Sequence, residues 1–113
     1  MPPDLPTGIV YHGTDAASTE SIRRIGLNVD AWRASTSQDL DEKGLSITTE
    51  RAIAEWWARI RAGERGGPPN GVVLEADAGL LPLRAGSPGQ WTDPKEWFIA
   101  PEDFPQVGPG ILY

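Results

Sequence analysis

The chain has no cysteine and only one histidine. The first absence excludes disulfides and thiolate-bound zinc, and the second argues against a histidine-built site, so no metal is expected. Positive charge is also short. Ten Lys and Arg stand against 16 Asp and Glu, for a net charge of -6, and no segment gathers the cations into the footprint that tracks a phosphate backbone. The one local run of cations, Arg59, Arg61 and Arg65, reads either as a weak anion patch or as a solvated helix end, where cations complement the helix dipole. No apolar stretch approaches the roughly 20 residues of a membrane helix. The start, Met1-Pro2-Pro3-Asp4, has neither the charged nor the apolar region of a secretory signal. The chain therefore reads as soluble, with no membrane partner.

What is present suits one small domain over residues 1–113, with 1–7 as a linker or flexible terminus. A hydrophobic share of 39% with five Trp is enough for a packed interior and argues against a disordered chain. Thirteen Gly and 11 Pro require frequent loops and short regular elements.

Gly8-Ile9-Val10-Tyr11-His12 has strand character and is broken by Gly13-Thr14-Asp15. Asp15 or Ser18 is placed to cap a helix with Ile22 and Ile25 on one face, stopped by Gly26-Leu27. Asn28 to Gly44 reads as a long polar loop anchored by Trp32, and Leu45-Ser46-Ile47-Thr48 as a short strand. Thr48 or Thr49 then caps the strongest helix. There Ile53, Trp56, Trp57 and Ile60 form one apolar stripe expected to face the core, with Gly63 as its end. Val72 to Ala76 and Glu96 to Ile99 read as strands, and Ile111-Leu112-Tyr113 as a last one. Strands outnumber helices late in the chain and are not interleaved with them. This order predicts an α+β fold with a mostly antiparallel or split sheet, not a doubly wound one.

Two polar residues stand out. A lone histidine at a strand end, His12, is commonly a structural hydrogen-bonder, but its place before a Gly-Thr loop suits a site edge. Glu96 opens an otherwise apolar strand, so it is either an exposed strand end or a carboxylate that is paired or used.

The order of these pieces resembles the ADP-ribosyltransferase superfamily, in a divergent form of its histidine-motif branch. Tyr11-His12-Gly13-Thr14 followed by Ser21 to Leu27 is similar to that family's first strand, loop and helix. Gly44-Leu45-Ser46-Ile47-Thr48-Thr49 leads, as there, into an Ala-rich helix with Trp. Val73 to Asp77 and Glu96-Trp97-Phe98-Ile99-Ala100-Pro101 resemble the late strands, the second carrying the catalytic glutamate. The resemblance spans nearly the whole chain, through motifs that are individually short.

It implies a split, clefted β-sandwich with a few short helices, binding NAD between its two sheets. His12 would hydrogen-bond the adenosine ribose, Gly13 would hold the nicotinamide amide through its backbone, and Thr14 would complete the motif. Ser46 stands where that branch usually has a tyrosine stacked on nicotinamide, so either Trp56, Trp57 or Trp91 supplies the ring or the cofactor pose differs. Glu96 would be catalytic, offsetting the charge of an oxocarbenium-like transition state as the nicotinamide bond breaks. Gln90 and Trp91 would lie in the acceptor-recognition loop. Pro94 stands where the arginine- or asparagine-modifying branch has glutamine or glutamate, which argues against arginine as acceptor. The resemblance thus implies an NAD-dependent transferase of toxin or effector type acting in the cytoplasm, whether made there or secreted or delivered as part of a larger toxin. Its acceptor is a macromolecule, protein or nucleic acid, and a neutralising immunity or antitoxin protein would accompany it. NAD glycohydrolysis, RNA 2'-phosphotransfer and a catalytically silent binding module remain alternatives on the same fold.

Overall fold

The computed structural model describes residues 5–30, 44–65, 71–85 and 96–113. Strand β1 (Ile9–Thr14) leads into helix α1 (Ala16–Ile25), followed by β2 (Leu45–Thr48), helix α2 (Arg51–Arg65), β3 (Val72–Asp77), β4 (Arg84–Ala85) and β5 (Glu96–Ile99). Short 3-10 helices follow β3 (Ala78–Leu80) and β5 (Pro101–Gln106). The strands form one sheet in the order β3-β1-β2-β5-β4, and every neighbouring pair is antiparallel. The domain is α+β, as its pattern predicts.

The ladders are unequal. β1 pairs with β3 along its full length, from Ile9↔Asp77 to Thr14↔Val72, and β2 pairs with β5 from Leu45↔Ile99 to Thr48↔Glu96. Between β1 and β2 the register holds at one position, Tyr11↔Thr48. The sheet is thus two half-sheets joined at a seam, β3-β1 on one side and β2-β5-β4 on the other.

Side chains alternate across a strand, and directly paired residues share a face. One face carries Val10, Leu74, Ala76, Leu45, Ile47 and Ile99, which pack with Ile22, Leu27, Phe104, Val107 and Leu112 into the core. α2 covers the other face over β1. A Cβ on Gly13 would lie 1.8 Å from the Ala54 carbonyl oxygen, and one on Gly71 would lie 2.2 Å from that of Ala58. Only glycine admits a helix backbone this close.

That contact corrects the expected helix stripe. The buried row of α2 is Ala54, Ala58 and Ala62, whereas Trp56 is 52% and Ile60 40% exposed, and Ile53 and Trp57 are half-buried. Small residues must meet the glycine backbones, which turns the large side chains aside. The helix also runs past Gly63 to Arg65.

Other local expectations shift by a residue or two. Thr48 does not begin the helix: its Oγ1 accepts from the Glu50 amide at 3.1 Å, while the Glu50 carbonyl accepts from Ile53 and Ala54. Asp15 holds the N-cap position of α1 without a side-chain capping bond. Ile22 is buried but Ile25 is 48% exposed. At the end of α1, Gly26 takes φ 80°, and the Leu27 amide donates to the Val107 carbonyl at 2.9 Å. Residues 111–113 do not form the expected last strand; Tyr113 alone exchanges two backbone bonds with Glu75, of 2.9 and 3.0 Å, along the outer edge of β3. Trp32 and most of the expected 28–44 loop lie outside the described residues.

Candidate functional site at the seam

His12 follows the one residue that joins the half-sheets. Its pairing with Leu74 turns it away from α2, and it is 7% exposed. The imidazole reaches along the seam, where Nδ1 lies 2.7 Å from the Ser46 carbonyl oxygen. A carbonyl only accepts, so Nδ1 carries the hydrogen and donates. In a neutral ring that leaves Nε2 as the acceptor.

The ring is neutral at physiological pH. Burial pushes its pKa down to about 4; the bond to Ser46 opposes this, the charge of Arg61 adds to it, and Asp15 opposes it again. A side chain thus bridges strands that are otherwise joined at a single residue pair.

Glu96 begins β5 directly across from Thr48, in a row that continues through Tyr11 to Glu75. Because Tyr11 and Gly13 share the face under α2, Glu96 lies on that face too, 9% exposed. His12 and Glu96 therefore lie on opposite faces of the sheet, His12 on β1 at the seam and Glu96 on β5, one strand beyond it. The cross-strand partner of Glu96, Thr48, is fully buried.

The next row on the α2 face is Ser46, Phe98 and Arg84. Ser46 offers no ring, but its cross-strand partner Phe98 does, half-buried and leaning over Gly44, whose Cβ position is 3.1 Å from the ring. Arg84 is turned outward, where its guanidinium bonds Asp103 at 3.1 Å and also Glu102, fastening β4 to the helix after β5.

α2 forms the wall above this floor. Arg51 reaches Glu75 on β3 at 2.6 Å, so that flank of the helix lies over the β3 half. The opposite flank carries Ile53, Trp57 and Arg61 at i, i+4 and i+8, all half-buried, on the side where α2 touches β2. Trp57 is thus half-buried on the flank nearer β2, while Trp56 is exposed.

Thr14 is buried and its hydroxyl donates to Asp15 Oδ1 at 3.2 Å. Gly13 is buried between β3 and α2, and the close backbone approach that glycine permits is the one made by the helix. Gln90, Trp91 and Pro94 lie outside the described residues.

Sequence reasoning gave Asp15 and Thr48 only a capping role and Arg61 only a place in a cationic run, and it missed Phe98. The alternation of β2 and β5 held the signal for Thr48 and Phe98, but only once their register was known. Asp15 and Arg61 gave no local signal as neighbours of His12, because an acid after a strand and an arginine in a helix are ordinary surface residues.

Among the described residues no group of acidic or histidine side chains could hold a metal ion, and no helix is long and apolar enough to cross a membrane. No family model, curated protein or solved structure matches the chain.

Proposed function

We propose that the domain is an NAD-dependent ADP-ribosyltransferase whose cleft is the seam between β1 and β2. The observation that carries this reading is that His12 and Glu96, the two polar residues the resemblance assigns to the NAD site, are both nearly buried in the sheet, with His12 at the seam between β1 and β2. A buried histidine whose pKa is strongly shifted by its surroundings is a candidate site residue.

The residues suit a dinucleotide. Neutral His12, with Nδ1 tied to Ser46, presents Nε2 as an acceptor for a ribose hydroxyl. Glu96, on the other face, in this reading accepts from the second ribose and offsets positive charge as the glycosidic bond to nicotinamide breaks. The ring missing at Ser46 is made up by Phe98 on the neighbouring strand and Trp57 on the overhanging helix, which supply an aromatic floor and wall for nicotinamide. Gly13 contributes to packing under α2 rather than offering an open backbone on that side. The acceptor is a macromolecule, protein or nucleic acid, and water in its place gives NAD hydrolysis.

The test is nicotinamide release from NAD by the purified chain, alone and with candidate protein, RNA and DNA acceptors, followed with label on the adenosine side. The expected outcome is release by the native chain and a loss of at least about a hundredfold in Glu96→Gln, the scale of one removed charge-stabilising group, with circular dichroism unchanged. Equal release by Glu96→Gln would overturn the assignment.

A further inference from the structure

The sheet occupies only one side of α2. At about 3.6 residues per turn, the side opposite the buried Ala54, Ala58 and Ala62 carries Ile53, Trp56 and Ile60, with Ala52 and Gly63 on one margin and Trp57 on the other. Trp56 and Ile60 are exposed, and small residues beside them allow close approach. An apolar row on a helix whose inner face is already packed marks a contact surface.

The charges along this row fit a second copy of itself. Beyond Ala52 and Gly63 lie Glu55 and Arg59, both exposed. Arg51 bonds Glu75 at 2.6 Å and stands 3.5 Å from Glu55, whereas Arg59 has no ion-pair partner among the described residues. Two copies of α2 laid antiparallel about a two-fold axis beside Trp56 and Trp57 bring the same flank of each together. Ile53 then stands opposite Ile60 of the second copy, Trp56 opposite its Trp57, and Glu55 within one residue of its Arg59. Symmetry makes each contact twice. A parallel pair would instead set the Arg59 flank against the Arg61 flank, cation against cation.

We infer that the chain forms an antiparallel two-fold dimer through the outer face of α2. This is independent of the NAD reading. A 15-residue helix is about 22 Å long, too short to bury the roughly 1,200 Å² of a stable interface, so the dimer is weak, with Kd on the order of 10 µM.

Sedimentation velocity on the full chain, from about 1 µM to about 500 µM, tests it. The expected result is a rise from monomer to dimer over that range. Trp56→Gln weakens association at least about 100-fold, since a central Trp is a hot spot and symmetry counts it twice. Circular dichroism stays unchanged, because that side chain is exposed in the monomer. Glu55→Arg and Arg59→Glu each weaken association about tenfold by setting like charges face to face. An equimolar mixture of these two variants associates as the native chain does, because each flank then meets its opposite, a recovery that damaged folding cannot imitate.

A native chain that stays monomeric at the highest concentration overturns the proposal. So does a dimer that Trp56→Gln leaves intact, which places the contact elsewhere. A mixture no tighter than its two components overturns it as well, since the charged flanks then do not meet.

Discussion

At the scale of single residues, His12 couples the site to pH. Its pKa is about 4 in the folded chain against 6.5 for the free side chain, so the unfolded chain takes up this proton more readily. The stability contributed by the neutral ring is therefore complete above pH 6.5 and is lost as pH falls toward 4, by about 3 kcal/mol in all. His12→Gln keeps a donor for the Ser46 carbonyl but does not titrate. Urea unfolding at pH 7 and pH 4.5 is expected to show a smaller acid loss in His12→Gln than in the native chain. Equal losses would mean that the carboxylates, which titrate in both proteins, account for the whole effect. Above pH 7 the two proteins should have parallel stability curves, since the imidazole is then neutral in both folded and unfolded states.

At the scale of elements, α2 is where sequence pattern and structure part. Pattern weighs Trp and Ile above Ala, so the stripe Ile53, Trp56, Trp57 and Ile60 reads as the core face. The packed row is instead Ala54, Ala58 and Ala62, seated on Gly13 and Gly71. The signal was present as alanines at i, i+4 and i+8, but it acquires meaning only once two glycines distant in sequence lie beneath them. The difference predicts opposite mutational costs. Gly13→Ala puts a methyl 1.8 Å from a helix carbonyl and is expected to destabilise by about 3 kcal/mol or more, because both neighbours are backbone. Trp56→Ala, on the exposed side, should cost about 1 kcal/mol or less. Thermal unfolding of the two variants checks the contrast, and a reversed order would restore the Trp stripe as the core face.

Other elements were legible for local reasons. β1, β2, β3 and β5 carry β-branched and aromatic residues between Gly and Pro breaks, and all four form close to where the sequence places them. The candidate site was half legible. The residue types at His12 and Glu96 drew attention, but whether Glu96 was buried or exposed, and that it pairs with Thr48, depended on a register between segments almost 50 positions apart. The bond from His12 to the Ser46 backbone involves no side chain at 46, so nothing in the identity of that residue announces it.

At the scale of the whole molecule, the seam divides the domain into halves of unequal cohesion. The β1-β3 ladder is long and is bound on one face by α2, whereas β1 and β2 share one residue pair and one imidazole bond. Native-state hydrogen exchange should therefore find seam amides opening at a lower free energy than those between β1 and β3. NAD should slow the seam amides selectively. Uniform protection without ligand would show one cooperative unit instead.

Both outer edges of this sheet are blunted. On one side Tyr113 occupies the backbone groups of Glu75, and on the other β4 is only two residues long, with the Arg84 side chain engaged by Asp103 and Glu102. An open strand edge is a template for strand addition from another molecule, and short or charged edges suppress it. Among the described residues the sheet is thus weakly joined in the middle and closed at its borders, so a strand from another molecule finds no long free edge to extend.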